Sequence, residues 1–78
     1  GFRVVAATEK AKYTYTKANL TDPTCIVMGA EDKGISKEVL KLCDEQLAIP
    51  LIGSIESLNV SAAAAIMLFE VVRQRIGE

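Results

Sequence analysis

Apolar positions fall into short blocks separated by polar, lysine-bearing stretches, and the spacing inside each block differs along the chain. Phe2 to Ala7 is a β-branched and aromatic run that predicts a buried strand. Thr8 to Asp22 is polar, with Tyr13 and Tyr15 alternating with threonines; it reads as a loop, with room for a short edge strand. Asp22-Pro23 signals a turn, and Thr24 to Met28 predicts a second buried strand ending at Gly29. Ser36 is a good N-cap for a helix in which Ile35, Val39, Leu42 and Cys43 are expected to form one buried face. Lys33, Lys37 and Lys41 lie four apart on the other side and mark a solvated face, and Asp44-Glu45 is expected to close the helix. Leu47 to Ile49 predicts a third strand, stopped by Pro50.

After a loop over Leu51 to Leu58, a helix is expected from about Asn59 to Ile76, in a stretch rich in alanine, leucine and methionine. Val60, Ile66, Met67, Phe69, Val71 and Val72 wrap most of its circumference, so it should be buried nearly all round. One small sheet cannot do that alone. The order strand, strand, helix, strand, helix predicts an α/β fold with a mainly parallel sheet.

Composition sharpens this picture. The chain has 78 residues, half of them apolar, enough for one small domain. A domain of this size hides only about 60% of its extended-chain surface, so apolar surface is left for a partner or for the rest of a larger domain. Gly1 is not a methionine and the first strand starts almost at once, so we expect a fragment of a longer chain.

Charge and cysteine content exclude several classes. The net charge is −1, but Arg3, Lys10, Lys12 and Lys17 against Glu9 leave residues 1–19 at +3 and the remainder at −4. Any nucleic-acid contact must therefore be local, or supplied by sequence outside this chain. Two cysteines, Cys25 and Cys43, and no histidine cannot fill a zinc shell, so no metal is expected. Both sit in apolar patterns and are expected to be buried free thiols. The run from Val60 to Val72 carries Glu70 and is too short to cross a bilayer, so no membrane partner is expected. A reducing, cytoplasmic setting fits these features.

In open α/β sheets, ligands bind in loops beyond the carboxyl ends of the strands. Two loops qualify, Gly29 to Gly34 and Pro50 to Asn59, and they would share a pocket if their strands are parallel neighbours. The first lacks the dinucleotide glycine pattern and the Lys-Ser/Thr of a phosphate-binding loop. Glu31 and Asp32 would also repel phosphate, so a ligand with a positive or neutral centre fits better. From this loop alone the plainer reading is favoured: the glycines supply turns and the carboxylates favour the next helix dipole. In the second loop, Ile49-Pro50-Leu51 and Ser57-Leu58-Asn59 set apolar residues around a few polar ones, which suits an adenine-sized ligand. Ser57, Asn59 and Ser61 are three candidates for a single N-cap, a mild surplus that points to a site.

Residues Ile26 to Gln74, and more loosely the strand and loop before them, resemble the carboxy-terminal part of the SpoU (TrmH-like) RNA ribose 2′-O-methyltransferases of the SPOUT superfamily. The middle family motif matches Gly29-Ala30-Glu31 with Gly34; the last matches Ile49-Pro50-Leu51 and Ser57-Leu58-Asn59-Val60-Ser61. Within the family, the sequence is most like the enzymes that methylate a guanosine ribose of large-subunit ribosomal RNA.

The resemblance implies that residues 1–78 are the carboxy-terminal segment of one catalytic domain, folded with a deep trefoil knot. It implies S-adenosylmethionine as cofactor, contacted by Gly29, Ile49 and Leu58 with Leu51 and Ser57 nearby. Glu31, Ser57 and Asn59 would be the catalytic or orienting residues for attack of an RNA 2′-hydroxyl on the cofactor's methyl group. It also implies a homodimer through the last helix and an RNA substrate, ribosomal rather than transfer RNA. The family's first motif, an asparagine-rich stretch ending in an arginine, has no counterpart here; Arg3 lies in a strand and does not match it. Two alternatives remain: a catalytically silent cofactor-binding or dimerisation module, and a generic α/β nucleotide-binding domain.

Overall fold

The computed structural model describes residues 1–29, 33–51 and 59–77. Its centre is β1 (Arg3–Ala7), where the paired valines favour a strand and the buried Val5 and Ala6 show it covered on both faces. β2 (Tyr13–Thr14) is two residues long and runs into a 3-10 turn over Tyr15–Lys17. β3 (Thr24–Val27) and β4 (Glu45–Ala48) complete a four-stranded sheet of order β2-β4-β1-β3. Every pairing is parallel, as the alternation of strands and helices requires. Val5 sits opposite Ile26 on one side and Glu45 on the other. The short edge strand therefore forms in what reads mostly as a loop.

The first helix is shorter than its periodicity suggests. α1 spans Lys37–Leu42, capped by Ser36, whose Oγ accepts a hydrogen bond from Val39 N at 3.3 Å. It stops there because the next residues belong to the sheet. Asp44 N donates to Val4 O at 2.7 Å and Asp44 Oδ2 accepts from Val4 N at 2.7 Å, which commits the chain to β4 from Glu45 onward. Glu45, expected to close the helix, is thus a strand residue ion-paired with Arg3. Of the expected apolar face, only Ile35 and Cys43, which flank α1, are half-buried. Val39 and Leu42 are exposed, and Leu40 is half-buried in their place. Cys25 is exposed and Cys43 half-buried, so neither is the core thiol expected from its neighbours.

α2 (Val60–Ile76) packs across the sheet. Asn59 caps it, its Oδ1 accepting from Ser61 N at 2.8 Å and Ala62 N at 3.3 Å, so Ser61 is not the cap. Gly77, at φ +80°, ends it in the left-handed conformation that a glycine adopts without a Cβ clash. Met67 and Val71 join Val5, Leu20 and Leu47 in the buried core. The other side of α2 is not covered: Leu68, Phe69, Val72 and Ile76 are between 49% and 73% exposed. The all-round burial expected of this helix is thus absent within the chain itself.

A polar network fixes α2 in place. Gln74 Oε1 accepts from Leu20 N at 2.7 Å, while its Nε2 donates to Ala18 O at 2.9 Å and to Glu70 Oε2 at 2.8 Å. The buried Glu70 carboxylate also accepts from Arg73 Nε at 2.7 Å and Nη2 at 2.8 Å. Arg73 first, and then Gln74, overcome the cost of burial and hold the Glu70 carboxyl down at about 2. Its folded-state value lies below the unfolded one. The stabilisation is therefore present above about pH 4.5 and is lost as pH falls towards 2. We expect Glu70→Gln to lower stability at neutral pH by about 1–3 kcal/mol and to flatten the acid limb of a urea-stability profile between pH 5 and 2. A mutant profile parallel to wild type would show that Glu70 does not carry this dependence.

Candidate functional site

Because the sheet is wholly parallel, β1, β3 and β4 all end at one edge. β3 and β4 are not neighbours, however: β1 lies between them, so the two candidate loops leave the sheet about 10 Å apart. Continuing the register one step beyond Ala6–Val27 and Ala7–Leu47 sets Met28, Ala7 and Leu47 in one row, with Gly29, Thr8 and Ala48 in the next. Thr8 N donates to Leu47 O at 2.9 Å and extends the ladder to this edge. Thr8 thus occupies the gap between the loops, a position sequence reading missed by assigning it to a polar connection. The signal that could have found it is its place directly after the central strand.

α2 brings a further residue to the same end. Its carboxy-terminal half is tied to residues that precede β3: Gln74 to Ala18 and Leu20, and Arg75 Nη2 to Asp22 O at 3.0 Å. The helix therefore runs antiparallel to the strands, and Asn59 at its start faces the carboxyl edge. Of the residues expected to form the site, Gly29, Ile49, Leu51 and Asn59 are brought to this edge. Glu31, Ser57 and Leu58 lie outside the described residues.

The local chemistry is apolar and backbone-rich. Ile49 packs against the core and Leu51 is half-buried. Gly29 is tightly enclosed: an added Cβ would lie 2.5 Å from the Gly34 carbonyl carbon and 2.7 Å from Ile35 N. The need for glycine here comes first from the chain meeting itself, because the two ends of the loop touch through backbone. Gly34 has φ +68°, the left-handed conformation that its side-chain-free backbone permits. Asn59 holds two helix N–H groups through Oδ1, which commits that oxygen to capping α2. Such a surface suits a largely neutral ligand with an adenine-sized apolar part. Among the described residues no group of three or more His, Cys, Asp or Glu side chains could hold a metal ion. Cys43 is not a nucleophile in waiting. Burial first, and then Asp44, push its thiol up, and its Sγ donates to Val39 O at 3.3 Å.

Residues 1–69 match the model of the SpoU rRNA Methylase family. The chain belongs to this family. Its similarity extends to the 23S rRNA (guanosine-2′-O-)-methyltransferase RlmB of Photorhabdus laumondii, 46% identical over 72 residues, covering 92% of this chain and 30% of that protein. The tRNA (guanosine(18)-2′-O)-methyltransferase of Thermus thermophilus is 44% identical over 77 residues, covering 97% of this chain and 40% of that protein. Among solved structures, the SpoU methyltransferase AviRb from Streptomyces viridochromogenes, in complex with the cofactor AdoMet, superposes with a TM-score of 0.91 at 37% identity. That match covers 97% of this chain and 29% of the other. The SpoU chain described here thus spans about 30% of the length of the RlmB relatives it matches.

The enclosed glycine makes a clear prediction. Gly29→Ala should destabilise the chain by about 1–3 kcal/mol, because a backbone segment, not a flexible side chain, has to move. Gly34→Ala meets no atom within 4 Å and should cost only the left-handed strain, about 1–2 kcal/mol. Urea unfolding of both variants measures this; a Gly29→Ala midpoint equal to wild type would show that the loop ends separate freely.

Proposed function

We propose that this chain is the carboxy-terminal part of the trefoil-knotted catalytic domain of an S-adenosylmethionine-dependent RNA ribose 2′-O-methyltransferase. One observation carries the reading: the strands that lead into the two motif-matching stretches end, with the start of α2, at a single edge of a parallel sheet. In this reading Gly29, Ile49, Leu51, Ser57 and Leu58 hold the cofactor, its adenosyl part against apolar side chains and backbone. When bound, the cofactor supplies an electrophilic methyl group. Glu31, Ser57 and Asn59 then orient the ribose and its 2′-hydroxyl, a weak nucleophile that depends on alignment and on removal of its proton.

The proposed substrate is a guanosine ribose in ribosomal RNA. Relatives named for 23S rRNA cover 92–95% of the chain. Transfer RNA is the second substrate to test, since relatives named for tRNA guanosine reach 49% identity over 61 residues and one covers 97% of the chain at 44% identity. The exposed apolar side of α2 supports a homodimer through Leu68, Phe69, Val72 and Ile76, a side chain set that is costly to leave in water. We place the protein in the cytoplasm, where its RNA substrates are made and two exposed or half-exposed thiols stay reduced.

The deciding experiment is methyl transfer from labelled S-adenosylmethionine to ribosomal and transfer RNA by the full-length protein, with the product mapped. Asn59→Asp keeps an N-cap and removes the amide N–H, so turnover should fall at least tenfold while cofactor affinity and helix content are retained. Unchanged turnover would remove Asn59 from catalysis. Phe69→Lys should convert the dimer to monomer in sedimentation velocity at micromolar protein. A variant that remains dimeric would move the interface elsewhere.

A further inference from the structure

A second concave surface lies away from the loops at the carboxyl edge. β2 pairs only with Leu47 and Ala48, so it stops short of the first half of β4. Beside that uncovered edge is a groove of about 730 Å³, lined among others by Arg3, Lys10, Lys12, Tyr13 and Lys17. This volume is within the range of ligand-binding clefts.

The charges in this groove are unevenly engaged. Its two acids already have partners: Asp44 accepts from Val4 N, and Glu45 pairs with Arg3. Among the described residues no carboxylate pairs with Lys10, Lys12 or Lys17. Arg3 Nε is buried and finds no acceptor there either. The groove thus gathers all four cations of the first nineteen residues, in a chain whose remainder is net negative. Tyr13, also in the groove lining, leaves its ring 68% exposed and open to a stacking partner.

Unpaired lysines spaced around a cleft, with an exposed aromatic ring in its lining, match the way proteins hold single-stranded nucleic acid. The cations follow the phosphates and the ring stacks on a base. We propose that this groove binds the phosphodiester backbone of a single-stranded stretch of the RNA substrate, with Lys10, Lys12 and Lys17 on phosphates and Tyr13 under a base. The proposal rests on the RNA methyltransferase reading. It adds a contact surface that the two motif loops do not include.

The test uses the full-length protein and a fluorescein-labelled 16-nucleotide oligouridylate, with affinity read by anisotropy across a salt series. Replacing Lys10, Lys12 and Lys17 together by Gln should weaken binding at least tenfold at 0.1 M salt. It should also reduce the slope of log affinity against log salt by about 2, since single strands lose about 0.7 per phosphate contact. S-adenosylmethionine affinity should stay within twofold of wild type, which reports an intact fold. Tyr13→Ala should weaken the oligouridylate about fivefold or more but leave an abasic strand of equal length unchanged, and Tyr13→Phe should restore binding. An unchanged affinity and salt slope in the triple variant would overturn the proposal, whatever the methyl-transfer assay gives. RNA binding that depends on the lysines, in a protein that transfers no methyl group to RNA, would support the groove and refute the proposed activity.

Discussion

The carboxamide of Gln74 holds this small structure together. It accepts from Leu20 N and donates to Ala18 O, the same pair of bonds that a neighbouring strand would make, but from a helix side chain. That pairing satisfies a peptide donor and acceptor that would otherwise be left unmet near the core. It also fixes which way α2 lies. Leu20 can then close over Met67 and Val71, and these bury Val5 and Leu47 beneath them. Glu70 and Arg73 reinforce the contact from the same helix face, so the polar network and the apolar core share one seam.

From that seam the site follows geometrically. A helix pinned at its carboxy-terminal half to residues before β3 must start at the opposite edge. That edge is where the parallel strands end and where the family's motifs lie. The position of Asn59 at this edge is therefore a consequence of hydrogen bonds made at the far end of α2, by Gln74 and Arg75.

Much of this was legible in the residues. Val4-Val5 and the Thr24 to Met28 run announced strands, Ser36 and Asn59 announced helix starts, and the alternation of elements announced a parallel sheet. The motif residues themselves were legible through family resemblance rather than through periodicity. What escaped depended on contacts distant in sequence. Gln74 reaches residues 54 and 56 positions away, and no local pattern marks a polar residue in a helix as a surrogate strand. Glu45 read as a helix terminator because the attraction of Arg3 and the pairing of Asp44 with Val4 lie some 40 residues off. Val39 and Leu42 have helical spacing but are exposed on α1, with Leu40 half-buried instead. The separation of β3 from β4 by β1 is a matter of topology, which consecutive strands in a sequence do not reveal.

The two borders of the sheet differ in a way that governs growth. On the β2 side, Lys10, Lys12 and Lys17 stand beside the sheet, and their like charges would oppose the approach of another strand. β3 pairs with β1 alone, and its residues Thr24–Val27 carry no charge to turn a neighbour away. A strand added to this sheet would meet electrostatic resistance on one side and an open template on the other. Extension of the sheet is therefore favoured outward from β3.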